Sequence, residues 1–167
     1  MDLKTTYLGL ELANPIVSGS CPIGANLDTV RLLEDAGAAA VVMPSLFEEE
    51  IMAAATAQLE MESAGAGFAE ASSYIPNPDG YHVGPEQYLE HLQAAKDAVG
   101  IPIIASLNGA SPGGWTGYAK KMEEAGADAL ELNTYYLATN ANEPGSDVEK
   151  RTLDIVAAVR EADSIPM

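Results

Sequence analysis

Short apolar runs alternate with longer stretches of helical period four times along this chain, and this alternation restricts the fold more than any other feature. The apolar runs occupy residues 15–18, 38–43, 101–107 and 129–132. Between them, apolar side chains recur every three to four positions, which is the spacing of one helix face. Strands that alternate with helices through short connections form parallel sheets with right-handed crossovers. The sequence therefore predicts an α/β fold built from four βα units.

A repeated segment joins two of the helices to the strands that follow them. Residues 34–40 read Glu-Asp-Ala-Gly-Ala-Ala-Ala, and residues 123–129 read Glu-Glu-Ala-Gly-Ala-Asp-Ala. The glycine in each copy suits the left-handed position that closes a helix. A second repeat is the dipeptide Ile-Pro, which opens the third strand at Ile101 and returns at Ile165. We therefore expect a fifth strand to begin at Ile165.

Helix ends are predicted from local signals. Residues 46–84 form a long connection after the second strand, and their alanine, glutamate and methionine content predicts a helix over 47–63. Ser111-Pro112 predicts the start of the helix that precedes the fourth strand. Ser146-Asp147-Val148-Glu149 has the spacing of a capping box and predicts that the last helix begins at Ser146.

Composition excludes several classes of partner. The chain has 25 acidic and 8 basic residues and a formal charge of −17, which repels nucleic acids and anionic membranes. Its single cysteine cannot form a disulfide framework, and its apolar runs are shorter than the roughly 20 residues that span a membrane. We therefore expect a cytoplasmic protein with a small-molecule substrate, no nucleic-acid partner and no membrane association.

Four βα units can belong to either of two architectures, the doubly wound sheet and the (β/α)8 barrel. No Gly-x-Gly-x-x-Gly segment follows a predicted strand, which disfavours a dinucleotide-binding doubly wound sheet. Polar residues cluster where the strands end, which is where a barrel places its active site. These residues are Ser18, Ser20, Ser45, Ser106, Asn108, Asn133, Tyr135 and Tyr136.

Several of these motifs resemble one family. The stretch 7–15, Tyr-Leu-Gly-Leu-Glu-Leu-Ala-Asn-Pro, resembles the N-terminal ribbon and first strand of the dihydroorotate dehydrogenase family, and Glu131-Leu132-Asn133 is similar to its Glu-Leu-Asn. With Ile-Ala-Ser-Leu-Asn-Gly at 104–109 and Ser-Pro-Gly-Gly-Trp at 111–115, the chain looks most similar to the dihydroorotate dehydrogenase-like subgroup. A barrel of this kind needs about 250 residues. The resemblance thus implies a TIM (β/α)8-barrel family half-barrel over 1–167, with four βα units, the start of strand 5 and an insertion at about 46–84.

The resemblance implies an FMN-dependent oxidoreductase that acts on a CH–CH bond, passes a hydride from substrate to flavin and belongs to pyrimidine biosynthesis. By position in the family, Gly19, Ser20 and Cys21 would lie beneath the flavin. Hydrogen bonds to flavin or substrate would come from Ser45, Ser106 and Asn133, with Asn108 as their neighbour. The family's fifth-strand lysine and flavin-phosphate loops would follow residue 167.

The sequence departs from the family at two positions. Active class 1 members carry a lysine before the serine that follows the second strand, and Pro44 stands there in this chain. The catalytic loop usually reads Leu-Ser-Cys-Pro-Asn with cysteine or serine as base, whereas residues 134–138 read Thr-Tyr-Tyr-Leu-Ala and place Tyr136 at the base position. A tyrosine hydroxyl, with an ordinary pKa near 10, is a weak base at neutral pH. These departures argue against dihydroorotate itself as the substrate.

Alternatives to this interpretation remain open at the level of sequence. The chain could be a truncated or inactive half-barrel fragment. A flavin-free aldolase is a further alternative, and it would need a Schiff-base lysine at a strand end. A half-barrel has open strand edges, so we expect a homo-oligomer or association with the missing C-terminal half. His82 and His91 lack zinc-ligand spacing and, like the acidic run 48–50, are expected on the solvated surface.

Overall fold

The computed structural model describes residues 2–65, 84–111, 113 and 116–167. The strands in this part of the chain are β1 (Thr5–Tyr7), β2 (Leu10–Leu12), β3 (Val17–Ser18), β4 (Ala40–Phe47), β5 (Ile103–Gly109) and β6 (Ala129–Thr134). The helices are α1 (Leu27–Asp35), α2 (Glu48–Gly65), α3 (Pro85–Ala98), α4 (Gly117–Glu124) and α5 (Gly145–Ala162), with a 3-10 turn at Pro22–Ala25.

The main sheet is parallel, and its strands stand in the order β3-β4-β5-β6. A doubly wound sheet reverses its strand order at a switch point. Here each strand lies beside the one that precedes it in the chain, with helical segments between them. The α/β fold is therefore confirmed, and the consecutive parallel order fits part of a TIM barrel.

The two faces of the sheet bury different groups. Met43, Ile103 and Leu107 point to the helices and join the larger core, whereas Val42 and Ile104 point to the opposite face. On that opposite face they pack with residues of the β1–β2 hairpin. Full burial of one large aliphatic side chain stabilises a fold by about 1.5–3 kcal/mol. Alternation along β4 and β5 thus provides a core beneath the helices and an opposite face, against which the β1–β2 hairpin packs. We call this opposite face the inner face.

Both copies of the repeated segment make the same contacts. Gly37 and Gly126 each have a φ of +94°, which confirms the left-handed helix closure. Glu34 Oε1 accepts a hydrogen bond from the backbone N of Gly100 at 2.8 Å, and Glu123 Oε2 accepts one from the backbone N of Ser164 at 3.1 Å. In each case a glutamate at a helix end thus holds the residue before an Ile-Pro dipeptide.

The Ile-Pro dipeptides also meet the sheet in the same way. The carbonyl of Pro102 accepts from the N–H of Val41 on β4 at 3.0 Å, and the carbonyl of Pro166 accepts from the N–H of Leu130 on β6 at 2.8 Å. Residues 165–167 therefore run beside β6, although they are not in strand conformation. A strand that begins at Ile165 stays a prediction.

Strand β4 continues to Phe47, so the prediction that it ends at Pro44-Ser45 is wrong. Its register against β5 shifts between Val42 and Ser45, because a bulge adds one residue there. Proline has no N–H to donate, and bulges are among the few sites where it is tolerated in a sheet. The extra residue places Val42 and Ser45 on the same face.

A buried tyrosine fills the gap that the bulge leaves in the hydrogen bonding of β5. The Tyr88 hydroxyl accepts from the backbone N of Ser106 at 3.1 Å and donates to the carbonyl of Ser106 at 3.4 Å. Tyr88 is 5% exposed, and burial raises the pKa of its hydroxyl, which keeps it protonated. Tyr88 therefore satisfies both backbone groups of Ser106.

Two predicted helix starts are wrong. The helix α5 begins at Gly145 after Pro144, whose carbonyl accepts from the N–H groups of Asp147 and Val148, and no side chain caps it. This placement puts Ser146 inside the first turn. The helix α4 begins at Gly117, because Thr116 turns back to the carbonyl of Gly113 through both its N–H and its hydroxyl. Pro112, Trp115 and His82 lie outside the described residues.

We expect Tyr88→Phe to lower the free energy of unfolding by about 2 kcal/mol, since it leaves buried backbone groups of Ser106 without a partner. Urea unfolding followed by circular dichroism measures this loss. Tyr7→Phe is the matched control, because Tyr7 is 53% exposed. Equal stabilities for the two variants would contradict the role given to Tyr88.

We expect Glu123→Gln to speed hydrogen exchange at the Ser164 amide. The hydrogen bonds from Ser164 lower the pKa of Glu123. This contact is therefore present at neutral pH and is lost as the pH falls through that lowered pKa. Amide exchange by NMR at two pH values measures the effect. The exposed neighbour Glu124→Gln serves as control, and unchanged Ser164 exchange in the Glu123 variant would refute the contact.

Candidate functional site

Four polar side chains form a continuous hydrogen-bonded row across the inner face of the sheet. Ser20 Oγ lies 3.0 Å from Ser45 Oγ, and Ser45 Oγ lies 2.8 Å from Ser106 Oγ. Ser106 Oγ donates to Glu131 Oε1 at 2.8 Å. We call these four residues the serine–glutamate row. The row connects the segment after β3 with β4, β5 and β6.

Strand register and the bulge together create the row. Ser45 is the register partner of Ser106, and Ser106 is the register partner of Glu131. Directly paired residues of neighbouring strands have adjacent side chains on one face. Without the extra residue in β4, alternation would direct Ser45 toward the helices. The Pro44 bulge therefore aims Ser45 into the row.

Burial changes along the row. Ser106 is fully buried, Ser20 and Ser45 are half-buried, and Glu131 is exposed. A buried hydroxyl without a partner is costly, and here both neighbours satisfy Ser106. The row thus carries hydrogen bonding from the interior of the sheet to a solvent-facing carboxylate.

A second polar pair follows the row toward the carboxyl ends of the strands. Asn108 and Asn133 are register partners, and Asn108 also pairs with Phe47 of β4. Asn108 is 6% exposed, and its Oδ1 has no hydrogen-bond partner among the described residues. A buried amide oxygen in this state is rare in folded proteins. Asn133, by contrast, is exposed.

Gly19 and Cys21 flank Ser20 without joining the row. A Cβ added to Gly19 would have no described heavy atom within 4 Å, so the space beside it is open. Cys21 is half-buried, and its carbonyl accepts from the N–H of Gly24 at 3.1 Å. Their assignment beneath a flavin stays a prediction.

Tyr136 lies outside the row in a separate contact group. Its hydroxyl donates to Glu143 Oε2 at 2.8 Å, and Arg151 Nη2 donates to Glu143 Oε1 at 2.8 Å. The guanidinium carbon of Arg151 also lies 4.0 Å from the centroid of the Tyr136 ring. The hydrogen bond to Glu143 raises the pKa of Tyr136, and the opposing charge of Arg151 is a weaker influence. These contacts keep the Tyr136 hydroxyl protonated, and its role as the base stays a prediction.

Sequence reasoning missed the role of the acidic run that begins α2, which was expected on the solvated surface. Glu48 Oε2 accepts from the backbone N of Ala110 at 2.8 Å, and Glu48 Oε1 accepts from the hydroxyl of Ser111. Glu49 Oε1 accepts from the Tyr135 hydroxyl at 2.9 Å. These carboxylates therefore attach α2 to the segments after β5 and β6. Their position directly after a strand is the signal that could have indicated this.

The prediction that His91 lies on the solvated surface is also wrong. Its Nε2 lies 2.9 Å from the carbonyl oxygen of Gly24, and the contact is partly buried. An added Cβ at Gly24 would come within 3.1 Å of Pro44 Cδ, which places the 3-10 turn directly against the bulge. His91 therefore links α3 to the turn that follows the first strand of the sheet.

A cavity of about 400 Å³ lies beside the outer edge of β6, and Met167 is among the residues that line it. Glu131 lines it together with residues of the β1–β2 hairpin, the inner face and α5. These further residues are Tyr7, Leu8, Val42, Ile104, Leu130, Leu132, Thr134, Val156 and Met167. The exposed end of the serine–glutamate row therefore opens into a mainly apolar space.

Within the described ranges, no cluster of three or more histidine, cysteine or acidic residues could hold a metal ion. None of the helices described is both long and apolar enough to cross a membrane.

Comparison with known proteins identifies relatives along nearly the whole chain. No family model matches. Dihydroorotate dehydrogenase B (NAD(+)), catalytic subunit, from Thermoplasma volcanium is 32% identical over 99% of this chain and 52% of its own length. Putative dihydroorotate dehydrogenase A (fumarate) from Aeropyrum pernix is 28% identical over 99% of this chain and 52% of its own length. NAD-dependent dihydropyrimidine dehydrogenase subunit PreA from Escherichia coli is 25% identical, again over 99% of this chain, but over 41% of its own length.

The chain spans about half the length of the curated relatives that it matches first. This share agrees with the four-stranded consecutive sheet, which fits half of an eight-stranded barrel. The chain is therefore homologous to dihydroorotate dehydrogenases along nearly its whole length, and it matches about half of each of them.

Proposed function

We propose that this chain forms the N-terminal half of the active site of an FMN-dependent oxidoreductase that acts on a CH–CH bond. The observation that carries the proposal is the serine–glutamate row, which crosses the inner face of a parallel sheet in a homologue of dihydroorotate dehydrogenases. Active sites of (β/α)8 barrels are assembled from the carboxyl ends of their strands. The row and the Asn108–Asn133 pair are the polar groups that the inner face offers there.

The residues present suit the ring of a flavin. Asn108 Oδ1 is buried and has no described partner, so a ligand group that donates to it would relieve an unfavourable state. The open space beside Gly19 would let a flat ring approach the backbone closely. Ser20, Ser45 and Asn133 would orient the polar edges of that ring. Bound FMN would supply the acceptor for a hydride taken from the substrate.

Two cations of the chain are already paired with carboxylates and give a phosphate group little support. Lys96 is paired with Asp128 at 2.7 Å, and Arg151 is paired with Glu143 at 2.8 Å. With a net charge of −17, this half repels an anionic phosphate unless cations are provided from elsewhere. The proposal therefore assigns ring recognition to this chain and phosphate binding to the remaining half of the barrel.

The second candidate is a non-catalytic half-barrel. Tyr136, at the position of the family's base, donates to Glu143 and has a raised pKa, which opposes proton abstraction at neutral pH. Flavin binding separates the two candidates in part, because a half-barrel that binds no flavin has no part in this chemistry.

The proposed partner is a second sheet that covers the edge of β6 beyond the contact with Pro166, from the missing C-terminal half or from another copy of the chain. The cavity beside that edge is lined mainly by apolar groups, and exposed strand edges promote association. Four residues of β6, Leu130, Glu131, Leu132 and Thr134, line this cavity.

We expect the chain to bind FMN with micromolar affinity, and Ser106→Ala to weaken this about tenfold by breaking the row at its buried centre. Titration followed by the visible spectrum of the flavin measures both values. Ser146→Ala on the exposed surface of α5 is the control, and it should bind as the unaltered chain does. A flavin spectrum that never changes on titration would refute the proposed function.

We expect the chain to form dimers or larger assemblies on size-exclusion chromatography with multi-angle light scattering. Val156→Lys, which places a charge in the cavity beside β6, should shift the chain toward monomer. Leu153→Lys on the same helix should not, because Leu153 is 67% exposed and lies outside the cavity. A monomer at every concentration would contradict the proposed association.

A further inference from the structure

The carboxylate at one end of the serine–glutamate row determines where its hydrogens lie. An ionised glutamate only accepts hydrogen bonds, so the single hydroxyl hydrogen of Ser106 is donated to Glu131. The contact between Ser45 and Ser106 can then form only if Ser45 donates. By the same step, Ser20 must donate to Ser45. All three hydroxyl hydrogens therefore point toward Glu131.

This order leaves the row with lone pairs alone for a ligand. Ser20, at the far end, is half-buried and presents an oxygen whose hydrogen is already in use. Asn108 supplies an independent observation, because its Oδ1 is nine-tenths buried, unpartnered among the described residues and on the same face of β5 as Ser106. The oxygens of Ser20 and Asn108 both accept hydrogen bonds, and the amide nitrogen of Asn108 is a donor beside them.

We infer that Glu131 is a positioning residue that fixes the row as a hydrogen-bond acceptor, so that Ser20 selects a ring edge with an N–H donor. An imide is such an edge, and both flavin and pyrimidine rings carry one. The inference rests on the proposed function in its choice of flat heterocycles as ligands. A ring that offers only carbonyl or N-methyl groups would leave buried acceptors without partners, which costs binding free energy.

Two matched ligand pairs test the acceptor character of the site. Lumiflavin and 3-methyllumiflavin differ in the flavin imide hydrogen, and uracil and 1,3-dimethyluracil differ in the pyrimidine N–H groups. We expect the N–H member of at least one pair to bind the chain about tenfold more tightly than its methylated form. Titration calorimetry measures all four affinities and shows which ring is the source of the donor.

Glu131→Gln tests whether the carboxylate sets the order. The amide can donate to Ser106, which permits the row to reverse and to present a hydrogen at Ser20. The steric effect of the ligand's methyl group is the same in every protein variant. A change in the preference for the N–H ring therefore reports the direction of the hydrogen bonds. We expect the preference for the N–H ring to fall to about threefold or less in this variant. Glu149→Gln, which removes an equal charge from exposed α5, should retain the tenfold preference.

Each outcome decides at least one of the two claims. Equal affinities within both pairs, or a preference that survives Glu131→Gln, would overturn the inference. FMN binding without any N–H preference would leave the proposed function and remove the inference. An N–H preference for uracil without flavin binding would remove the proposed function and support the inference. Failure of all four rings to bind would overturn both.

Discussion

The bulge at Pro44 is the constraint on which the candidate site depends. A proline inside a central strand cannot donate to its neighbour, and β4 accommodates it by taking one additional residue between Val42 and Ser45. That residue changes the face to which Ser45 points, and Tyr88 satisfies the backbone of Ser106 where the ladder is interrupted. The same irregularity thus breaks the regular sheet and connects the serine–glutamate row. Bulges often aim side chains beside active sites in this manner.

The two ends of the sheet are held by different chemistry. At the amino ends, Glu34 and Glu123 repeat one contact, each holding the residue before an Ile-Pro dipeptide. At the carboxyl ends, Glu48 and Glu49 attach α2 to the segments after β5 and β6. The large acidic excess of the chain therefore includes carboxylates with defined structural partners.

Much of the fold could be predicted from the sequence because its signals are local. The alternation of apolar runs and helical stretches predicted the α/β fold, and Gly37 and Gly126 occupy the left-handed positions that their sequence context indicated. The continuation of β4 could not be predicted, because Pro44-Ser45 is also a common strand end and only pairing with β5 distinguishes the two. The capping pattern at Ser146 failed because the carbonyl of Pro144 already accepts the first helical N–H groups.

The site could be predicted as a set of polar strand ends but not as a connected row. Ser20, Ser45 and Ser106 were among the predicted residues, whereas Glu131 was noticed only as part of a motif. Its contact with Ser106 depends on strand register, which arises from pairing across the sheet. The contact of the Tyr88 hydroxyl with the backbone of Ser106 depends on a bulge two elements away, which no local sequence pattern indicates.

The most direct measurement is a crystal structure of the chain at a resolution that defines the serine rotamers. We predict that Ser45 Oγ lies within hydrogen-bond distance of both Ser20 Oγ and Ser106 Oγ, and that Ser106 Oγ contacts the Glu131 carboxylate. We also predict that the Tyr88 hydroxyl contacts the backbone of Ser106. A regular β4 with Ser45 directed into the helix layer would refute the serine–glutamate row.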